Sequence, residues 1–527
     1  GTLTTSSVGG TTLGLANAVT GFNASNITSG AITLVNTGAP LNITGISQAG
    51  TGDVSVTNTG SITTSGGIGA DGNVMIYATG GASDDVTISN TIALTGLAGK
   101  ALDIRANRNI EFNTSADVTT TAANSVTLNS DRDGANGGAI RLLTGTSIAS
   151  SGGDIVLGGG ATPATLNASG AGALTHGIAL AGASLSSGAG NITLHGAGAA
   201  VDQARGVLLD GSTGLTSIAS TGGAISITGL GGSDAGGAGA GQVGVQIGYG
   251  NAANASVTNT GAGTITISGT GGAGSGIVNS GVYLETTATA VGAVDGAITI
   301  TGVGGAGGGL NSTGVTLTDG AGVISTGAGA ISITGTGATG ESGILAGGGV
   351  GVQNIGGATA TGDILLRSLA GTGISLESGI VGAVVQTAGQ VTLNAVGGGA
   401  ITQAAGTGGR IQAANLLVLG DTSATASLAS ATNDVAILAG NLTGATATLS
   451  YTDVSGFGIG SVTSDHTGDG VAEAAVNGLT VGSSAVPANT ITLTAGGAVT
   501  QTQAVTTGGL QLLGAGSFNL SGLTNNV

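Results

Sequence analysis

The sequence predicts an all-β fold, a right-handed parallel β-helix solenoid with three sheets. Three observations predict it. A short pattern of Gly-x-Ile-x-Ile or Gly-x-Ile-x-Leu returns along the middle of the chain. Its apolar residues alternate with Thr, Ser or other residues, which is typical of a strand with one buried face. Glycine supplies 111 of the 527 residues, which disfavours helices. Short strands at a steady repeat, with no helix between them, indicate a solenoid.

The repeat is clearest between positions 153 and 366. The first isoleucine of each copy recurs at similar intervals, the last three of them equal, at Ile155, Ile192, Ile225, Ile265, Ile298, Ile331 and Ile364. Further strand-like runs begin at Val207, Val282 and Val315. Because Val315 lies midway between Ile298 and Ile331, we interpret one repeat unit as two coils. Glycine, Asn and Ser permit the tight corners between strands. The alternative is a glycine-rich segment of low complexity.

The repeat pattern divides the chain into two parts. We expect residues 1–385 to form a β-helix of short Gly-rich repeats, and residues 386–527 contain a longer module about twice. The matching segments are 391–393 with 491–493, 399–403 with 497–501, 416–420 with 510–514, and 433–435 with 525–527. The second copy stops within the module, so we expect a chain truncated at its C-terminus. Open strand edges there would favour end-to-end or lateral self-association.

Composition excludes several functions. The chain has 8 basic and 25 acidic residues, a net charge of −17, which predicts no binding to nucleic acid. It contains no Cys, which excludes disulfides and Cys-ligated zinc. Every apolar cluster is interrupted by Thr, Ser, Asn or Gly, so the roughly 20-residue apolar run of a membrane helix is missing.

Two groups of oxygen-bearing side chains are candidate calcium ligands. Asp131, Asp133 and Asn136 alternate around Gly134, as in a calcium loop, but without the distal Glu of an EF-hand. The second group is Asp465, Asp469 and Glu473. Polar corners in solvent are the simpler explanation of both groups, because only two or three carboxylates converge in each. We therefore expect no cofactor, with calcium as the exception at these positions.

The three histidines do not predict a zinc site. His176 and His195 are separated by about one coil in this interpretation, which is compatible with stacking on one face or with positions that face solvent. His466 is remote from both. Two imidazoles without a third ligand favour a structural role.

An enzyme would need carboxylates that converge on one sheet. The nearest group is Asp103, Arg105, Arg108 and Glu111, which we interpret as a surface patch of ion pairs because Asp103 and Arg105 flank an inward Ile104. Asp84 and Asp85 stand apart from it. We therefore predict no enzymatic activity and no catalytic residue. A carbohydrate-active β-helix enzyme is one alternative.

Ice binding is the other alternative function. Rows of Thr-x-Thr on a flat solenoid face can order water, and Thr264 with Thr266, and Thr299 with Thr301, fit such rows. Val156, Ser226 and Ser332 replace threonine in other copies, so ordinary β-propensity explains the pattern better.

Some of the repeats resemble a known family. Residues 125–134 and 152–160, and the module Leu-Leu-x-Leu-Gly followed by Asn-Asp-Val, resemble the central repeat region of filamentous haemagglutinin-like adhesins of two-partner secretion. The similarity covers most of residues 120–527 and lies in the pattern of the repeats rather than in a catalytic motif. It implies a rigid structural and adhesive segment of a large bacterial surface or secreted protein. The implied partners are an outer-membrane transporter of the two-partner type and glycans or proteins on host or neighbouring cells.

Overall fold

The computed structural model describes residues 1–234, 239–250, 254–286, 289–307, 310–356, 360–376, 383–395, 397, 399–406, 409–422, 424–463, 465, 467–468 and 470–527. All regular elements in these ranges are β-strands, which confirms the all-β prediction. Contacts divide the chain into unit 1, Gly1–Asp234 with Gln242–Thr266, and unit 2, Ile267–Val527 with Ala235–Gly241. Within the described ranges, no helix is long and apolar enough to span a membrane.

Unit 1 is built from short strands. In chain order they are β1 (Thr2–Ser7), β2 (Thr11–Asn17), β3 (Gly21–Asn26), β4 (Ile32–Asn36), β5 (Leu41–Gln48), β6 (Val54–Asn58), β7 (Ile62–Thr64), β8 (Ile68–Ala70), β9 (Val74–Ala78), β10 (Val86–Ile88), β11 (Ile92–Leu94), β12 (Ala101–Ala106), β13 (Ile110–Phe112), β14 (Val118–Thr120), β15 (Ser125–Ser130), β16 (Ile140–Leu142), β17 (Ser147–Ala149), β18 (Ile155–Gly159), β19 (Ala168–Ser169), β20 (Ile178–Ala181), β21 (Ser184–Gly188), β22 (Ile192–Ala197), β23 (Val207–Asp210), β24 (Thr216–Ser220), β25 (Ile225–Leu230), β26 (Val245–Ile247) and β27 (Ala255–Asn259).

The division between the units falls within β28 (Ile265–Thr270). The strands of unit 2 are β29 (Val282–Glu285), β30 (Thr289–Ala293), β31 (Ile298–Val303), β32 (Val315–Thr318), β33 (Gly322–Ser325), β34 (Ile331–Thr336), β35 (Ile344–Ala346), β36 (Gly351–Asn354), β37 (Ile364–Ala370), β38 (Gly373–Leu376), β39 (Val384–Gln386), β40 (Gln390–Ala395), β41 (Ala400–Gly406), β42 (Arg410–Gly420), β43 (Thr425–Ser430), β44 (Asp434–Leu442), β45 (Thr448–Asp453), β46 (Gly458–Ile459), β47 (Ser461–Val462), β48 (Val476–Asn477), β49 (Leu479–Val481), β50 (Thr490–Ala495), β51 (Val499–Gln501), β52 (Val505–Thr506), β53 (Gly509–Leu513) and β54 (Phe518–Asn519).

Each unit is a parallel β-helix with three sheets. Through the middle of the chain a strand pairs with the third strand after it, as β10 with β13 and β13 with β16, so a coil contains one strand of each sheet. Some long strands run through a corner and serve two sheets. For example, β5 pairs with both β7 and β8, and β42 pairs with both β39 and β40. The three-sheet prediction is therefore confirmed.

The repeat positions are also correct, but the interpretation of two coils per repeat unit is wrong. Ile298 pairs directly with Ile331, and Ile331 pairs with Ile364, so each repeat unit is one complete coil. The run that begins at Val315 belongs to another sheet of that coil.

Coil length varies widely along the chain. Thr2 pairs with Gly21, whereas Leu449 pairs with Ile491, more than twice as far along the sequence. The coil from Leu449 to Ile491 is long because it includes an additional antiparallel pair of strands, β47 and β48.

The core is a column of aliphatic side chains inside the coils. Ile192, Ile225, Ile298 and Ile300 are fully buried, as the alternating pattern predicts. Each inward residue stacks on the equivalent residue of the next coil, for example Ile192 on Ile225. At about 25 cal/mol per Å² of apolar surface removed from water, this column is the main source of stability.

The glycine that opens each repeat is required by close stacking of the corners. A Cβ atom on Gly190 would lie 2.1 Å from the carbonyl oxygen of Gly153, and one on Gly223 would lie 2.0 Å from that of Gly190. Gly329 and Gly362 meet the preceding corner in the same way. None of these four residues has a positive φ. Steric exclusion by the preceding coil therefore explains this glycine column, rather than the tight-turn conformations that the sequence suggested.

Inward polar side chains satisfy the carbonyl groups of these corners. The Ser187 hydroxyl donates to the oxygen of Gly190 at 2.6 Å. Asn354 Nδ2 donates to the oxygen of Gly329 at 2.9 Å, and Thr387 Oγ1 to that of Gly362 at 2.7 Å. These bonds give the corner carbonyls the partners that strand pairing does not supply there.

The longer module has a structural counterpart, an amide clasp formed by one Gln and one Asn. Gln403 Nε2 donates to Asn433 Oδ1, and Asn433 Nδ2 donates to Gln403 Oε1, both at 2.9 Å. Gln501 and Asn525 form the same reciprocal pair at 3.0 Å. The matching sequence segments therefore fold alike. The boundary between residues 385 and 386, which separates the short repeats from the longer module, stays a prediction.

Candidate functional sites

Three arginines of unit 1 form ion pairs. Arg105 pairs with Asp103 at 2.6 Å, Arg108 pairs with Asp85 at 2.6 Å, and Arg141 pairs with Glu111. The four residues that the sequence grouped are thus distributed over three separate pairs. Asp85, which the sequence left apart, is the bidentate partner of Arg108. All three pairs are partly exposed, so each contributes about 1 kcal/mol or less.

Tyr77 completes the first of these pairs. Its hydroxyl donates to Asp103 Oδ2 at 2.7 Å, and the Arg105 guanidinium lies 4.9 Å from the centre of its ring. Burial and the hydrogen bond to Asp103 raise the pKa of Tyr77 to about 12. The phenol therefore stays protonated and acts as a donor that fixes the carboxylate. As predicted, Ile104 between Asp103 and Arg105 is fully buried.

His195 lies within a strand and His176 lies outside one, so the two do not occupy equivalent positions on adjacent coils and the stacked arrangement of His176 and His195 is not formed. His195 belongs to β22, where its partner in the next coil is Thr228. His176 precedes β20, and its Nδ1 accepts a hydrogen bond from the backbone amide of Arg205 at 3.2 Å. Burial and the positive charge of Arg205 lower the pKa of His176 to about 4, and burial lowers the pKa of His195. His466 lies outside the described residues.

Arg205 is a buried cation that sequence reasoning missed. Only 7% of its surface is exposed. Its guanidinium donates to the side-chain oxygen of Gln246 and to the carbonyl of Gln203, and it lies 4.9 Å from the centre of the Tyr249 ring. Because Gln246 and Tyr249 belong to the next coil, no local pattern indicated these contacts. The cluster binds neighbouring coils together.

The first calcium candidate contains one buried and one exposed carboxylate. Asp131 is 8% exposed, whereas Asp133 and Asn136 lie at the surface. Burial and the charge of Asp133 raise the pKa of Asp131. Oδ1 of Asp131 is buried and accepts no hydrogen bond from the described residues. The structure thus brings the two carboxylates near each other and leaves an oxygen of one without a donor.

The second calcium candidate has a different geometry. Asp465 accepts hydrogen bonds from the backbone amides of Gly468 and Gly470, one on each carboxylate oxygen, both at 2.6 Å. Asp469 lies outside the described residues, and Glu473 is half-buried. Backbone amides therefore already satisfy the Asp465 carboxylate, which closes its own loop. Among the described residues, no three His, Cys, Asp or Glu side chains are grouped to hold a metal ion.

The loop that carries Asp465 lies across the outer face of unit 2. It connects the antiparallel strands β47 and β48. Arg367 donates from Nη1 to the carbonyl of Thr467, a residue far along the chain. A cavity of about 350 Å³ lies beside it, lined among others by Ser332, Leu365 and Gly468. The loop therefore covers part of one sheet.

The loop between β47 and β48 interrupts the row of threonines considered for ice binding. The outward column of the sheet reads Thr299, Ser332, Leu365 and Thr392 in successive coils. Leu365 is only 6% exposed. The column of unit 2 therefore lacks the continuous flat array that ice binding needs.

In unit 1, the proposed threonines occupy ordinary outward strand positions. Thr264 and Thr266 are both exposed on either side of a buried Ile265. This arrangement is the alternation expected of any strand with one buried face.

A groove of about 600 Å³ runs over the corners of unit 2. Along it runs what we call the amide ladder, the amides of Gln353, Gln386 and Gln412 followed by the carboxylate of Asp434, in register on four consecutive coils. The last three line the groove itself. Ser455 adds a hydroxyl that donates to Asp434 Oδ1 at 2.9 Å. Sequence reasoning missed this ladder because the intervals between its members shorten from coil to coil.

Comparison with known proteins identifies no relative: no family model, no curated protein and no solved structure matches the chain.

Proposed function

We propose that the chain is a structural and adhesive segment of a large bacterial surface or secreted filament. The observation that carries the proposal is the coil architecture. Successive coils of the described ranges pair through three sheets, and the same stacking recurs although coil length more than doubles. Such a stack can be extended coil by coil without a new core, and it resists bending because its backbone bonds run along the axis.

The resemblance to filamentous haemagglutinin-like adhesins supports an extracellular location and export through a two-partner transporter. The net charge of −17 favours solubility at a cell surface. The encoded protein should then begin with a signal peptide and a secretion domain, and a cytoplasmic start would overturn this part of the proposal.

For the adhesive function, we propose that a ligand binds in the groove of unit 2. The amide ladder offers donors and acceptors at intervals of about 4.8 Å along the coils. Amide and hydroxyl groups match the hydroxyl groups of a neutral glycan chain, which would bind without charge neutralisation. Gln412 is central in this arrangement because Gln386 and Asp434 flank it on the neighbouring coils.

A glycan array probed with the purified chain tests this. We expect binding to a neutral linear glycan, and Gln412→Ala should weaken it about tenfold, the loss of about 1.4 kcal/mol from one or two hydrogen bonds. Gln511→Ala is the matched control, because Gln511 is an exposed glutamine of the same unit outside the groove. Absence of glycan binding, or equal loss in both variants, would remove the groove from the proposal.

A further inference from the structure

The loop from Asp131 to Gly138 follows β15 at a corner of unit 1. Asp131 has a φ of 48°, an uncommon conformation for a residue other than glycine. Its backbone amide donates to the carbonyl of Arg108 at 3.0 Å, and its own carbonyl accepts from Gly134 at 2.9 Å. The carboxylate is thus held at a fixed position by backbone bonds on both sides.

That carboxylate is buried without sufficient partners. The side chain is 8% exposed, and its Oδ1 receives no hydrogen bond from the residues that the structure describes. The amides of Gly137 and Asn136 and the hydroxyl of Ser169 only partly offset the effects of burial and of Asp133 on its pKa. An ionised carboxylate in such surroundings is costly unless a positive charge compensates it.

The nearby arginines do not supply this charge. Arg108 is engaged by Asp85 in a bidentate pair. Arg132 is exposed, and its charge acts on Tyr77 instead. The charge that acts on Asp131 is that of Asp133, which is negative.

A second buried oxygen without a donor belongs to Asn107, the backbone neighbour of Asp131 on the adjacent coil. The register that pairs Arg105 with Asn129 brings Asn107 next to Asp131, since the amides of Asp131 and Arg132 donate to the carbonyls on either side of Asn107. Oδ1 of Asn107 is also buried and accepts no hydrogen bond within the described ranges. Adjacent coils therefore each carry, at neighbouring backbone positions, one buried side-chain oxygen that receives no hydrogen bond within the described ranges.

We propose that this loop binds a calcium ion, with the carboxylates of Asp131 and Asp133 as its charged ligands. Two carboxylates balance a divalent cation, and a donor set made of oxygen atoms selects a hard ion. Calcium accepts six to eight oxygen ligands in irregular geometry, so backbone carbonyls and water complete the shell in a loop of this kind. The ion fixes the loop against its neighbouring coils, and this role is independent of the proposed adhesion.

Calorimetric titration of the full chain, first stripped with a chelator, tests the site with Ca²⁺ and in parallel with Mg²⁺. We expect saturable Ca²⁺ binding and slower amide exchange at residues 131–138. Asp133→Asn should weaken Ca²⁺ binding at least tenfold, and it should fold normally because Asp133 is exposed. Asp465→Asn is the matched control and should leave Ca²⁺ binding unchanged, because backbone amides already occupy both Asp465 oxygens.

Asp131→Asn separates a metal ligand from a structural residue. Without calcium this substitution removes a buried charge, so exchange at residues 131–138 should become slower than in the parent chain. With calcium the order should reverse, because only the parent gains the ion. The proposal is overturned if calcium changes neither heat nor exchange, if Asp465→Asn loses as much binding as Asp133→Asn, or if calcium slows exchange in Asp131→Asn as much as in the parent chain.

Discussion

Removal of the buried amide clasp gives a quantitative test of how unit 2 is held together. Asn433 is fully buried, and its side chain makes four hydrogen bonds. Its Oδ1 accepts from Gln403 Nε2 and from the backbone amide of Ile411, both at 2.9 Å. Its Nδ2 donates to Gln403 and to the carbonyl of Leu428. Asn433→Ala therefore leaves two buried donors without an acceptor.

The expected cost follows from these two donors. At about 1–3 kcal/mol for each of the two buried donors left unpaired, Asn433→Ala should lower the local free energy of opening by about 2–6 kcal/mol. Asn525→Ala removes the equivalent bonds to Gln501, Val505 and Leu520 at the second clasp. Asn525 is half-buried, so water can replace its bonds and the cost should stay below about 1 kcal/mol.

Native-state hydrogen exchange is the appropriate assay, because a solenoid opens coil by coil rather than in one step. The amide of Ile411 and the coils around residues 400–435 should exchange faster in Asn433→Ala, whereas distant coils of unit 2 should not. A double-mutant cycle with Gln403→Ala should give a coupling of about 0.5–3 kcal/mol. Equal losses at Asn433 and Asn525, or no coupling to Gln403, would refute the reasoning.

Three further predictions concern the corners, the core and pH. Gly223→Ala should destabilise its coil, because the new Cβ would lie 2.0 Å from the carbonyl oxygen of Gly190. Gly69→Ala is the control and should be neutral, because open space surrounds that position. Thermal melting of both variants checks this. Ile298→Asp should cost several kcal/mol by burying a charge, and limited proteolysis should show new cleavage confined to neighbouring coils. Because the pKa of His176 falls from its ordinary 6.5 to about 4 in the folded chain, the unfolded chain binds the proton first as pH falls. Its contribution to stability should be complete above pH 6.5 and be lost between pH 6.5 and 4, and His176→Gln should flatten that part of a pH-dependent unfolding profile.

Much of the fold was predictable because strand periodicity is a local property. The alternation around Ile192, Ile225 and Ile298 indicated buried faces, and all three residues are fully buried. The number of coils per repeat was not predictable, because one repeat unit contains several strand-like runs. Only the pairing of Ile298 with Ile331 shows that those runs belong to three sheets of one coil.

The candidate sites were less predictable, because their contacts join residues on different coils. Asp103 and Arg105 are close neighbours in the sequence and were correctly placed in an ion-pair patch. The bidentate pair of Arg108 with Asp85 joins two coils. Because coil lengths are unequal, the sequence does not show which residues of adjacent coils lie opposite each other. The same reason concealed the amide ladder in the groove.

The sequence by itself determined the strand pattern, the positions of the repeats and the low charge of the surface, because these depend on residue type and local spacing. The tertiary structure decided which residues meet across coils. It placed the carbonyl of Gly190 where a side chain on Gly223 would collide, and it buried Asp131 while leaving Asp133 in solvent. The length of the segments between strands sets how far apart in the sequence two paired residues lie, as for Thr2 with Gly21 and Leu449 with Ile491. Contacts between coils therefore follow from the stacking of the whole helix and not from distance along the chain.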